Sequence, residues 1–151
     1  MTLLAAIRPE SWNLPLFLHV LGAMLVAGGL LASVSLLASA RRDPDLARLG
    51  YRTLAIVGVP SYALMWGAGH WTYSREGLDE SAIESAWVAI GFAVTEVGVV
   101  LLVAALVLAG LAQRRLRAGR STRLLTVAAG LLLVLLVALG AAAWAMAAKP
   151  G

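Results

Sequence analysis

Residues 13–42 read "NLPLFLHVLGAMLVAGGLLASVSLLASARR". From Leu14 to Ala40 the stretch is apolar apart from three serines and one ionisable side chain, His19, and it stops at the pair Arg41 and Arg42. An α-helix needs roughly 20 such residues to cross the core of a bilayer. No water reaches the backbone there, so every N–H and C=O must pair inside the segment, which selects a helix.

The rest of the chain repeats the pattern. Of its 151 residues 61% are hydrophobic and 13% are charged, against roughly 45–50% and about 25% in soluble domains. An excess of this size implies an outer surface that is apolar as well. Three further apolar runs follow, Leu54–Trp71, Ala86–Ala112 and Leu124–Ala148. The loops between them are too short and too polar to build a core. The expected fold is all-α: one polytopic domain over residues 1–151, a four-helix transmembrane bundle with helices at 14–40, 54–71, 86–112 and 124–148. The absence of cysteine excludes disulfides, thiolate metal sites and cysteine nucleophiles.

Arginine sets the orientation. "RRDPDLARLGYR" carries Arg41, Arg42, Arg48 and Arg52, and "QRRLRAGRSTR" carries Arg114, Arg115, Arg117, Arg120 and Arg123. Short loops rich in Arg and Lys stay in the cytoplasm, so both hairpins are expected inside and both termini outside. The net charge of +4 follows from this topology and implies no nucleic acid. The remaining loop holds Glu76, Asp79, Glu80 and Glu84 against Arg75, belongs outside, and carries a capping pattern for one short interfacial helix in "LDESAIESAW". Trp12, Trp66, Trp71, Trp87 and Trp144 fall near the same outer interface, where an amphipathic indole is comfortable. "ASA" at Ala38–Ala40 resembles a signal-peptidase site, but the preceding run is longer than a signal peptide's apolar region and the basic pair follows it, so an uncleaved helix is expected.

Helices in lipid gain little from apolar contact alone and pack through small residues. Gly22, Gly28 and Gly29 in the first run, and Gly91 and Gly98 on one face of the third, are the expected contact points. The "LLLVLLVAL" of the fourth run is expected to face lipid broadly or to form an outer stave. Pro60 removes the donor for Ile56 and is expected to kink or loosen the second helix.

At 1.5 Å per residue, His19 lies on the order of 10 Å below the outer interface, Tyr62 roughly 12 Å below His70, and Glu96 about 13 Å below Trp87. Three helices thus bring an imidazole, a phenol and a carboxyl to one depth. A charged carboxylate at mid-membrane costs about 2.5–3.5 kcal/mol on the insertion scale, so Glu96 is expected to be protonated or to find a donor in His19 or Tyr62. Three readings stay open: a structural clamp, a proton or ion pathway, and a haem or metal site. For the last, His19 with His70 or Met65 supplies imidazole and thioether ligands suited to copper or to haem b, although His19 and His70 stand roughly 8–10 Å apart in height. No nucleotide loop, HExxH or Ser–His–Asp set is present, and a non-enzymatic role is expected.

The segment "LHVLGAMLVAGGLL", Leu18–Leu31, resembles the first-helix signature of a broad group of bacterial membrane proteins that includes the copper-resistance D-type membrane domains and small four-helix integral membrane proteins. His19, Gly28 and Gly29 fall on the matching positions, and Val26 stands where the group has a tryptophan. The resemblance implies a four-helix protein of the bacterial cytoplasmic (inner) membrane and a copper- or haem-related role through His19. Beyond the lipid bilayer, the partners left open are a larger membrane complex, to which the chain would be an accessory subunit, and further copies of itself.

Overall fold

The computed structural model describes residues 10–40, 43–77, 86–119 and 123–148. Every described element is helical: α1 (Glu10–Ser39), α2 (Pro44–Thr53), a π turn (Leu54–Gly58), α3 (Val59–Arg75), α4 (Ala86–Arg117) and α5 (Arg123–Ala147). Three of the helices, α1, α4 and α5, are long and apolar enough to cross a membrane. Arg41, Arg42, Asp79, Glu80, Glu84, Arg120 and the expected interfacial helix lie outside the described residues, wholly or, for that helix, up to Ala86.

The largest departure from the sequence reading is at the first arginine hairpin, where a helix begins ten residues before Leu54. Asp43 is extended (φ −145°, ψ 110°) and its carboxylate accepts from the Asp45 N–H at 2.9 Å, while Pro44 opens the helix. A capping carboxylate followed by proline satisfies one orphan donor and removes another. Ala47, Gly50 and Leu54 then recur on the buried side of what is otherwise a polar segment.

Pro60 accounts for the π turn. It has no N–H, and its ring would clash with the carbonyl of Ile56 in a regular α-helix. The ladder widens instead: Val59 N–H bonds to Leu54 O, five residues back, and the backbone at Thr53, Leu54, Gly58 and Val59 stays right-handed helical. Pro44 to Arg75 is therefore one column with a single inserted π turn, the form in which π-helix mostly occurs inside α-helices. α3 and α4 each end on a glycine with positive φ, Gly77 (65°) and Gly119 (68°). There the Gly77 and Gly119 N–H groups bond back to Ser74 O and Leu116 O, a conformation that favours glycine. The last turn of α4 carries Arg114, Arg115 and Arg117, cations that suit the negative end of its dipole.

The packing builds two antiparallel hairpins, α1 against the α2–α3 column and α4 against α5, with α1 also lying on α5. Three close approaches set the register of the first. Gly22 meets the Met65 backbone, Gly29 meets Val57 and Gly58, and Gly50 meets Leu37, so one helix number falls as the other rises. In the second hairpin Gly91 lies under the Met146 methyl, and Gly98 lies under Leu135 and the Tyr62 hydroxyl. Gly28 differs: it is exposed, and a Cβ there would meet open space.

The interior is Val26, Leu30 and Leu37 of α1, an alanine stripe on α4 (Ala105, Ala109, Ala112), and Leu125, Ala128, Leu132 and Leu135 of α5. "LLLVLLVAL" thus presents a packed seam, with Leu133, Val134 and Val137 left outside it. Ser33, fully buried, donates to Gly29 O at 2.7 Å. The outer surface is apolar in its turn: Met24, Ile56, Val100 and Val137 are each 64–70% exposed.

Antiparallel packing sorts the ends. Arg48, Arg52, Arg114, Arg115, Arg117 and Arg123 gather at one end of the bundle, and Trp66, Trp71, Trp87 and Trp144 lie toward the other.

Candidate functional site: a histidine-lined cleft

The tryptophan end is hollow. α1 pairs closely with α3, and α4 with α5, whereas α3 and α4 meet mainly through long side chains. A half-open cleft of about 210 Å³ lies among α1, α3, α4 and α5. α1 contributes Leu16 and His19, α5 contributes Met146, and the facing walls come from α3 (Met65, Trp66, Gly69, His70, Tyr73) and α4 (Trp87, Val88, Gly91, Phe92, Thr95). Glu76, just past α3, stands at the mouth.

His19 is fixed by its neighbour across the seam. Its Nδ1 lies 2.8 Å from the Met65 carbonyl oxygen. A carbonyl only accepts, so Nδ1 carries the proton, and the tautomer with that single ring proton has Nε2 as its acceptor. Gly69 makes room for the ring, since a Cβ on it would stand 3.0 Å from His19 Nδ1 and 3.2 Å from Cε1. Tyr62, 3% exposed, donates to the Thr95 carbonyl at 2.7 Å. These two hydrogen bonds tie α1 to α3 and α3 to α4. The wall above them is a series of ring contacts: Trp66 to His70 (centroids 4.8 Å, edge-on), His70 to Phe92 (4.9 Å, tilted) and Tyr73 to Phe92 (5.0 Å, edge-on).

The three residues matched by depth do not converge. His19 faces the cleft, Tyr62 is taken up by Thr95, and Glu96 is exposed on the outer face of α4 beside Val97 and Val100, outside the cleft. Gly91, Thr95 and Gly98 occupy the inner face of α4, and one residue beyond Thr95 the helix has turned by about 100°. His19, Met65 and His70 do line one cleft, His70 as an exposed side chain. Among the described residues no group of three or more His, Cys, Asp or Glu is placed to hold a metal ion.

Several lining residues were not singled out as site residues in the sequence. Trp66 and Tyr73 fall with His70 at i, i+4 and i+7, the spacing of one helix face, a signal open to inspection. Phe92 and Met146 carry no comparable mark. Comparison with protein-family models, with curated proteins and with solved structures gives no match for this chain.

Proposed function

We propose that the protein is a non-enzymatic integral membrane protein of four spans, resident in a bacterial cytoplasmic membrane with both termini outside, and that its outer end carries a binding cleft for a small ligand. The observation that carries this reading is the cleft itself. It is mostly aromatic and apolar, it touches α1, α3, α4 and α5, and it holds one imidazole oriented by a backbone carbonyl. Convergent polar groups in an apolar concavity at a helix-bundle end are the usual form of a ligand site.

Charge and length support this topology. The α2–α3 column extends on the order of 45 Å at 1.5 Å per residue, ample for the roughly 30 Å of a hydrocarbon core, and supplies the fourth span through its apolar half. The arginine end belongs in the cytoplasm. His19 and Tyr62 then act as interhelical clamps that hold the cleft open, and Glu96 lies outside this arrangement.

A second reading, haem or copper bound through His19, is favoured by the same Nδ1–carbonyl bond, because metal-ligating histidines characteristically donate their other ring N–H to a carbonyl or carboxylate. His70 or the Met65 thioether would be the further ligand. A Soret band in protein from its native membrane, lost in His19→Ala, or stoichiometric copper by metal analysis, supports that reading.

Native mass spectrometry of protein extracted from its own membrane tests the first reading. A bound small-molecule mass is expected, absent when the cleft is filled by Val88→Trp. Each protein appearing only at its own bare-chain mass, with no added ligand mass, would count against a binding cleft.

A further inference from the structure

The polar groups of the cleft restrict the chemistry of its guest, taking as given that the cleft is a binding site. Two lining hydroxyls are already committed within their own helices. Thr72 Oγ1 donates to Ala68 O at 2.9 Å, and Thr95 Oγ1 to the carbonyls of Gly91 and Phe92 at 2.9 and 3.0 Å. Neither has a hydrogen left to offer. His19 differs because its proton sits on Nδ1, against Met65 O. Its Nε2 is an unshared acceptor in the neutral ring. Among the described residues no buried side-chain nitrogen or oxygen lacks a partner, and the hydrogen bond of His19 is made through Nδ1. Nε2 is therefore accessible, on a side chain that lines the cleft.

A guest that pairs with His19 must accordingly bring a donor to Nε2, and an apolar face to the rings. The linked series Trp66, His70, Phe92 and Tyr73 offers edges and faces that suit a planar aromatic ring. The size agrees, since an apolar cavity of about 150 Å³ takes up benzene and this cleft is near 210 Å³. We propose that the cleft binds a phenolic or hydroquinone-type ring whose hydroxyl donates to His19 Nε2. Only binding is inferred, with no change in the ring's oxidation state.

The test uses the full chain in lipid nanodiscs and two probes, trimethylhydroquinone and its dimethyl ether, which keeps the ring and loses both donors. Binding is read by equilibrium dialysis against empty nanodiscs, which removes partition into lipid. The hydroquinone is expected to saturate at one site per chain and to bind at least tenfold tighter than the ether. His19→Phe, which keeps an aromatic ring and loses the acceptor, is expected to erase that preference while the ether still binds. The wild-type comparison needs no variant, so it stands even if His19→Phe fails to fold. Equal affinities overturn the donor assignment while leaving a binding cleft in place. Preference for the hydroquinone retained in His19→Phe also overturns it. Saturable binding of neither probe overturns the ring class, and the co-purified mass then decides separately whether the cleft is a site.

Discussion

At the scale of single residues, α1 and α3 touch backbone to backbone at Gly22. A Cβ there would lie 2.6 Å from Met65 N and 2.8 Å from Met65 Cα, and backbone cannot swing aside as a side-chain tip can. Gly22→Ala is expected to destabilise by about 1–3 kcal/mol, the range of overpacked cores. Gly28→Ala, six residues on and facing open space, is expected to be neutral or slightly stabilising, by up to about 1 kcal/mol. Thermal unfolding of the two variants in one detergent checks the contrast, and equal losses would contradict the packing described. Tyr62→Phe removes a single interhelical hydrogen bond and keeps the ring, so a loss of about 0.6 kcal/mol is expected, with about 1.7 as an upper range. Glu96 is exposed, and no hydrogen bond ties it to another described residue. Glu96→Gln is expected to leave the unfolding temperature unchanged or raised, as for surface sites generally; a clear drop would restore an intramolecular role for this carboxyl.

At the scale of elements, the column from Pro44 to Arg75 carries the most information. A π turn is an α-helix with one residue inserted, so removing one residue restores the α ladder without rotating the helix beyond it. Pro60 must change with it, because its ring would then meet the carbonyl four residues before it. Deletion of Ile56, 70% exposed on the turn, combined with Pro60→Ala, is expected to keep the fold and an unfolding temperature close to that of the parent. Deletion of Ala63 from the regular part of α3 is expected to rotate Met65 and the cleft wall by about 100° and to abolish cooperative unfolding. Circular-dichroism melts distinguish the outcomes. The sequence made part of this element legible. Proline at 60 announced a loosened ladder, and the apolar run marked the helix. It did not reveal where the helix starts, since "DPDLARLGY" is polar enough to read as a loop and only the spacing of Ala47, Gly50 and Leu54 betrays a buried face. The positive-φ stops at Gly77 and Gly119 were implicit in glycine itself.

At the scale of the molecule, apolar run length and arginine clustering were enough to make an all-helical bundle legible, because both are properties of the chain taken in order. The cleft was half legible. Depth along each helix follows from residue number, so His19, Tyr62 and Glu96 could be matched in height. Azimuth follows from which faces pack, and Glu96 turns outward because the glycine and alanine stripe of α4 turns inward. The most direct measurement of the proposed architecture uses the absence of cysteine in the chain. Single cysteines at Asp45→Cys, Ser74→Cys and Ala118→Cys, all exposed positions between long apolar helices, are challenged in intact cells with a membrane-impermeant maleimide. Four spans with the cleft outside predict that Ser74→Cys reacts at once, and that Asp45→Cys and Ala118→Cys react only after permeabilisation. If Asp45→Cys and Ser74→Cys react from the same side, the α2–α3 column does not cross the membrane and the outward-opening cleft is contradicted.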